Sequence, residues 1–433
     1  MYHFNFRFII LFGEKMFIGI DDTDSRDKYC TTYIGMLLME KLGKKYKMDV
    51  PKLIRMNPMV KYKTRGNGGV CLRIIENEQK LSDNNINYIK ETVINLVEEY
   101  SDIECENTNP GIVFLSEENY IKNRKILDDY YKKVLYDIIT VDYAKKILNK
   151  IGGEYVLYKK GHGIIGSLGA ISSSDYPYTY ELLAYRKREN WGTERKIDNK
   201  SVVEMDKKTI PFTFNNVDGE KQIIAPRTKC PVLYGIRGVK KDVLIDAMGM
   251  VKCEEDIDKY MIFKTNQGTD VHLRYMAIKD IYPNTGVISY GTLVDDPKDI
   301  AGGIVVFEID DGTGKIKCIS YEPTKSFRNI VRKLKKGDIV GVYGTVREEP
   351  FEINIEKLKI LKLSKQYIKN KKCSCGGVLK SKGVKSGYVC NKCGKRIKYD
   401  DINLIEVKRD IMEGFYEVPP SARRHLSKPL ILF

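Results

Sequence analysis

Between Lys357 and Lys398 the sequence holds no aspartate and no glutamate, against fourteen lysines and arginines. That absence excludes local ion pairing within the stretch. Two readings remain: a solvated, thermophile-like surface or a polyanion-binding face. Counterion release rewards a one-signed patch, so a nucleic-acid partner is expected. No apolar run approaches transmembrane length; Phe8–Phe12 is too short, and no small-residue cleavage site follows it. Met16 directly precedes a strand pattern, so translation is expected to start there, with residues 1–15 an artefact of start assignment or a disordered arm. Internal repeats and low-complexity linkers are missing too. The ten cysteines lack a secreted disulfide pattern. Cys30, Cys71, Cys105, Cys230, Cys253 and Cys318 are scattered singly, and four others cluster near the C-terminus. A reducing, cytoplasmic compartment and one metal site are expected.

What is present is a basic globular chain. Its 433 residues suit three or four domains, and 42% hydrophobic and 30% charged residues suit a soluble protein; the net charge is +16. Phe17–Ile20 reads as a buried strand, and Thr31–Leu42 as a helix stopped by Gly43. Alternating patterns continue to about residue 135, an α/β unit over 16–135. Helix patterns at 141–152 and 240–250 among Gly-punctuated strands predict an α+β unit over 136–280. From 281 to 365 five short alternating strands carry a helical insert, KSFRNIVRKL, between the third and fourth, the layout of an OB-fold barrel. OB-folds bind single-stranded nucleic acid, and also sugars and proteins. Residues 366–400 read as a ribbon and 401–433 as a basic tail.

Cys373-Ser-Cys375 and Cys390-Asn-Lys-Cys393 form two knuckles, each followed by glycine. Four such thiolates suit tetrahedral zinc, and a ribbon this small needs that staple to fold. The first knuckle is CxC instead of CxxC, which narrows the chelate.

The sharpest signal is FIGIDDTDSRDKYCTTYIG, residues 17–35. Asp21, Asp22 and Asp24 crowd the end of an apolar strand, and crowded carboxylates need a positive charge between them. One reading is a helix cap. The other is a Mg²⁺ site beside a helix N-terminus that takes phosphate, with Thr23, Ser25 and Thr32 nearby and Thr31 or Thr32 able to accept a phosphoryl group. Simple N-capping would also explain the two threonines. KYKTRGNGG, residues 61–69, adds a second phosphate cradle: Lys63 and Arg65 supply charge, and Gly66 allows close backbone approach. His162, between two glycines, is an exposed loop histidine or a general base.

GIDDTDS…CTTY, NP…KTRGNGG, GIIGSLGAI, YTYELLAYR, TNQGTDVHL, YEPTKSFR and ARRHLSKPL, in that order, resemble the archaeal tRNA(Ile) 2-agmatinylcytidine synthetases from Met16 onward. The resemblance implies a multidomain α+β protein: a kinase-like domain, a ferredoxin-like domain, an OB-fold and a zinc ribbon. It implies ATP-dependent attachment of agmatine to the wobble cytidine of the CAU-anticodon isoleucine tRNA, with ATP ending as AMP and two phosphates. Mg²⁺ and structural Zn²⁺ are the implied metals. Thr31 matches the threonine that the family phosphorylates. Agmatine carries a guanidinium and an amine, so Asp175, Glu181 and Asp270 are candidate partners, with a structural role equally open for each. Arg423 and Arg424 are candidate tRNA phosphate contacts, the alternative being a tail that merely packs on the protein. No membrane partner and a monomeric state are expected. The competing reading is a non-catalytic nucleic-acid-binding factor whose acidic turn is only a cap.

Overall fold

Phe17–Ile20 forms the middle of β1 (Met16–Asp21) in the computed structural model, which describes residues 15–61, 63, 66–75, 82–175, 177–383 and 386–433. The expectations placed on residues 1–14 and on Arg65 lie outside the described residues. Along the chain follow α1 (Thr31–Gly43), β2 (Lys52–Arg55), β3 (Gly68–Ile74), α2 (Asp83–Glu99), β4 (Gly111–Ser116), α3 (Glu117–Lys122), α4 (Arg124–Tyr136), α5 (Val141–Ile151), β5 (Glu154–Leu157) and α6 (Gly163–Ser172). β1 lies between β3 and β4, antiparallel to both. Ile18 and Ile20 face a core shared with α1 and α2, while Phe17 faces a second core shared with α4, α5 and α6. A strand covered on both faces reads as a continuous apolar run, which is why β1 is legible in the sequence. The expected 135/136 junction falls inside this packing, since α5, β5 and α6 belong to the same two-sided unit.

The segment GIIGSLGAI carries no amphipathic signal, because α6 is buried nearly all round. Its glycines recur at 163, 166 and 169; Gly163 and Gly166 lie on the ends of β1 and β4, while Gly169 faces Met56 and Val134 of α4. A Cβ on Gly19 of β1 would stand 2.3 Å from the Ser167 carbonyl oxygen, and one on Gly69 of β3 would stand 2.6 Å from that of Gly166. Helix and sheet therefore meet backbone to backbone.

The second unit comprises β6 (Thr179–Arg186), α7 (Asn199–Thr209), β7 (Thr213–Phe214), a small hairpin of β8 (Val217–Asp218) and β9 (Lys221–Gln222), β10 (Val232–Gly238), α8 (Lys241–Met250) and β11 (Ile257–Thr265). The helix expected at 240–250 is α8; α7 goes beyond the sequence expectation. The strands of this unit continue the first unit's sheet in the order β5-β4-β1-β3-β2-β11-β6-β10-β7. The seam is a short parallel pairing of Lys264 and Thr265 in β11 with Lys52 and Leu53 in β2.

The barrel comprises β12 (Leu273–Tyr275), β13 (Gly286–Leu293), β14 (Lys298–Ile300), β15 (Ile304–Asp310), β16 (Lys315–Ser320), α9 (Phe327–Arg332), β17 (Ile339–Arg347) and β18 (Glu352–Lys362). β13, β15, β16, β18 and β17 close on themselves, with β16 and β18 parallel. Phe327 and Val331 of α9 plug the barrel core, the OB-fold arrangement expected from strand order. The chain then leaves for the ribbon, with β19 (Tyr367–Lys369) paired to β23 (Leu404–Glu406) around β20 (Leu379–Ser381), β21 (Tyr388–Cys390) and β22 (Arg396–Ile397). It returns to β18 as β24 (Gly414–Glu417). Beyond β24 the tail crosses back to the large sheet, where Leu426 is buried in the α4–α6 core. Among the described residues, no helix is long and apolar enough to cross a membrane.

Gly19→Ala should cost about 1–3 kcal/mol by overpacking, because backbone rather than a flexible side chain stands in the way. Chemical denaturation would measure it; an unchanged midpoint would mean that α6 can lift off β1 freely.

Candidate active site

The acidic turn begins where β1 ends. Asp21 lies under α6, and a Cβ on Gly166 would stand 1.7 Å from its Oδ2, so only glycine admits the carboxylate there. The backbone N–H of Asp22 donates to Asp21 Oδ1 (2.7 Å), and that of Asn109 donates to Asp22 Oδ2 (3.2 Å). Asp22 takes a left-handed φ of 57°, which turns the chain sharply out of the strand. Burial foremost pushes the Asp21 carboxyl up to about 7, with Asp24 adding repulsion. Burial foremost, then the charges of Asp21 and Asp24, push Asp22 up to about 8. Neither Asp21 nor Asp22 forms an ion pair among the described residues.

Neither residue caps α1. The N-cap of that helix is Cys30, with no side-chain capping bond, so Thr31 and Thr32 occupy the first turn and are not caps either. Thr31 Oγ1 lies 2.9 Å from Thr23 Oγ1, and Thr32 Oγ1 lies 3.0 Å from Cys30 Sγ. Ser25 Oγ accepts from the N–H groups of Asp27 and Lys28 and so shapes the turn. One cavity is lined by Asp21, Asp22, Asp24, Lys63, Gly66 and His162, among others. Lys63 folds its ammonium back to the carbonyls of Pro58 and Val60 (2.7 and 2.8 Å), and burial, then Arg424, lowers its pKa. His162 is the N-cap of α6, half-buried, with its pKa lowered by burial and then by Lys160.

The three carboxylates expected to meet agmatine do not converge. Asp175 lies past the C-terminal end of α6, while the acidic turn meets its N-terminal part; Lys52 and Lys264 hold Asp175 at 3.0 and 3.3 Å. Asp270 is an anchor: Lys357 donates to both of its oxygens (2.6 and 2.8 Å), and the Lys428 N–H donates to Oδ1 (2.7 Å). Glu181 does not line the cavity either, though it lies within electrostatic reach of Arg55. It is buried, accepts from Arg237 Nε (2.9 Å) and Gln267 Nε2 (2.5 Å), and its pKa is lowered, Arg237 and Arg55 outweighing burial. The two expected tRNA contacts are engaged inside the protein. Arg423 donates to Asn215 Oδ1 (2.6 Å) and pairs with Glu417, leaving its side chain 10% exposed, while Arg424 meets Glu356 at 3.0 Å.

Sequence reasoning missed the loop TNQGTD as a structural hub. Asn266 grips the backbone of Arg55 in both directions (2.8 Å each), Gln267 reaches Glu181 and His425, and the Gly268 and Asp270 N–H groups bind the tail carbonyls of His425 and Leu426. It also missed Asn109 and Gly166; the i, i+3 glycine spacing of 163–169 was the available signal.

In the ribbon the four cysteine sulfurs lie within 4.8 Å of one another, with Cys373–Cys393 at 3.7 Å and Cys375–Cys390 at 3.5 Å. Tetrahedral zinc with bonds of about 2.3 Å requires sulfurs about 3.8 Å apart, so the thiol set fits. Its CxC knuckle does not prevent the geometry.

A carboxylate-lined cleft joined to an OB barrel and a cysteine ribbon is the layout of a nucleic-acid-modifying enzyme. Family models match the chain in four segments: the TiaS TCKD domain at 17–160, the TiaS FLD domain at 161–272, an OB-fold nucleic acid binding domain at 292–361, and the TiaS C-terminal zinc ribbon domain at 370–411. The isoleucine-tRNA 2-agmatinylcytidine synthetase TiaS of Methanocaldococcus jannaschii is 63% identical over 96% of this chain and 98% of its own. The crystal structure of TiaS in complex with its isoleucine tRNA and ATP matches with a TM-score of 0.86 at 40% identity, over 97% of this chain and 98% of that one. A complex of TiaS with the same tRNA, AMPCPP and agmatine matches with a TM-score of 0.84 at 36% identity, over the same shares. The chain belongs to the isoleucine-tRNA 2-agmatinylcytidine synthetase family, TiaS.

Asp22→Asn should stabilise the ligand-free protein at neutral pH while abolishing its chemistry. A carboxyl whose folded pKa exceeds its unfolded value opposes folding once it must ionise. The penalty is absent below about pH 4 and grows as pH rises toward about 8, so the gain in Tm should grow over that window. A gain equal at both ends would show that charge burial is not its source. Removing zinc with a chelator should unfold 370–405 alone, since the ribbon core is little more than the cysteines with Leu379, Tyr388 and Ile402. Hydrogen exchange would show protection lost there and kept in the barrel; protection retained in the ribbon would rule out a structural metal.

Proposed function

We propose that this chain joins agmatine to C2 of the wobble cytidine of the CAU-anticodon isoleucine tRNA, using ATP. The observation that carries this reading is the cavity in which Asp21, Asp22, Asp24, Lys63 and Gly66 converge. The C2 carbonyl of cytosine is a poor electrophile, because its oxygen is a poor leaving group. Phosphorylating that oxygen changes this. The primary amine of agmatine then forms the C–N bond, the C–O bond breaks, and the oxygen departs with phosphate.

Asp21 and Asp22 would hold Mg²⁺ together with nucleotide phosphates. Two adjacent half-buried carboxylates, raised in pKa and without an ion pair among the described residues, are a hard-oxygen donor set of the kind Mg²⁺ takes. When bound, the ion neutralises phosphate charge. Thr31, in the first turn of α1 with its hydroxyl against Thr23, is the residue assigned the phosphoryl group. Thr32, Lys63 and Gly66 border the phosphates, while Thr23 and Ser25 shape the turn. Glu181 is the carboxylate kept as an agmatine partner. The barrel and ribbon, whose basic run continues from β18, receive the tRNA. Outside the ribbon the described cysteines form no disulfide, which suits the cytoplasm.

The test is incorporation of radiolabelled agmatine into the tRNA transcript with Mg-ATP. Wild-type protein should label the RNA; Asp22→Ala and Thr31→Ala should lose at least about a hundredfold in rate. Tight tRNA binding without label would leave only a nucleic-acid-binding factor.

A further inference from the structure

The tail places one side chain where neither the chemistry above nor the fold requires it. His425 is held from behind: its carbonyl accepts from Gly268 N–H (2.9 Å), and its Nδ1 lies 3.0 Å from Arg237 Nη2 and 2.9 Å from Gln267 Oε1. Its other nitrogen, Nε2, is turned to the glycine-rich loop, where a Cβ on Gly66 would meet it at 3.2 Å. The same Cβ would meet Arg55 Nη1 at 2.8 Å. Gly66 lines the cavity that holds Asp21, Asp22 and Asp24. Arg55 and His425 do not themselves line that cavity; they adjoin it through Gly66, whose Cβ position both crowd.

Arg55 feels the charge of Glu181 but has few direct partners. Its Nη1 makes a long 3.4 Å contact with the Gly66 carbonyl, its buried Nε has no acceptor, and it forms no ion pair among the described residues. A buried guanidinium left this way is costly unless an anion completes it. Crowding by protein, then the charges of Arg55 and Arg237, hold the His425 pKa well below its usual value, so the ring is a neutral imidazole. Arg237 can only donate and Gln267 Oε1 can only accept, so Nδ1 serves one of the two; the tautomer that accepts from Arg237 leaves Nε2–H as a donor beside Gly66.

We propose that Arg55 and His425 form a phosphoryl-binding wall opposite the acidic turn, so that the C-terminal tail is part of the nucleotide site. This rests on the ATP-dependent reading above. Acidic residues and a metal on one side and uncharged and guanidinium N–H donors on the other make a complementary pair of surfaces for a metal–polyphosphate. Gly66 is glycine because any side chain there would separate the two donors from the cleft.

The experiment is a titration of the full-length protein with Mg²⁺ and a non-hydrolysable ATP analogue, without tRNA or agmatine, with tRNA affinity measured separately. His425→Ala and Arg55→Lys should each weaken analogue binding roughly tenfold, the loss of a charge-assisted hydrogen bond, with tRNA affinity within about twofold. His425→Gln, which keeps an N–H donor, should recover part of the loss and guards against a folding defect in the alanine variant. Analogue affinity within about twofold of wild type for both His425→Ala and Arg55→Lys overturns the proposal. So does a loss confined to tRNA affinity, which would make the tail an RNA contact. A wild type that binds the analogue but ligates nothing overturns the proposed reaction, while these affinities still decide the wall.

Discussion

Asp21 and Asp22 stand side by side, half-buried, with no ion pair to either among the described residues. The structure around them exists on that condition. Gly166 is bare so that Asp21 fits beneath α6. Gly19 and Gly69 are bare so that α6 can lie close enough to cover it. Asn109 offers a backbone N–H, and the left-handed turn at Asp22 aims the second carboxylate beside the first. Such an arrangement opposes folding by itself, a common trade between stability and function.

A second organising element is the TNQGTD loop. Its successive residues bind different parts of the molecule: Asn266 the end of β2, Gln267 the buried Glu181, Gly268 and Asp270 the tail, and Asp270 also Lys357 of β18. Polar groups satisfied this completely in a low-dielectric interior fix one arrangement against others. Asp270 therefore reads as a charge with a structural partner, and the same holds for Glu417 and Arg423.

The sequence disclosed what local chemistry dictates. β1 and α1 followed from periodicity and an abrupt acidic stop, the barrel from five alternating strands with a helix after the third, and the ribbon from cysteine spacing. Hidden were features decided by tertiary contact. α6 is apolar all round and glycine-rich, so neither its moment nor its propensity marks it. Asp175, Glu181 and Asp270 look alike on paper. They are told apart by their partners: Lys264 for the first, Arg237 and Gln267 for the second, and Lys357 for the third. These lie 56 or more positions away along the chain. His425 could not be distinguished from its basic neighbours without knowing that the tail folds back to the cleft.

The seam between β2 and β11 has a mechanical meaning. One hydrogen-bonded sheet runs through both α/β units, and Asn266 locks the residue at the end of β2 on either side of its peptide. The acidic turn at the end of β1 and the Glu181–Arg237 pair of β6 and β10 are thus carried on one continuous sheet. A substrate reaching from one to the other spans strands of a single plate, not two sheets joined by a linker.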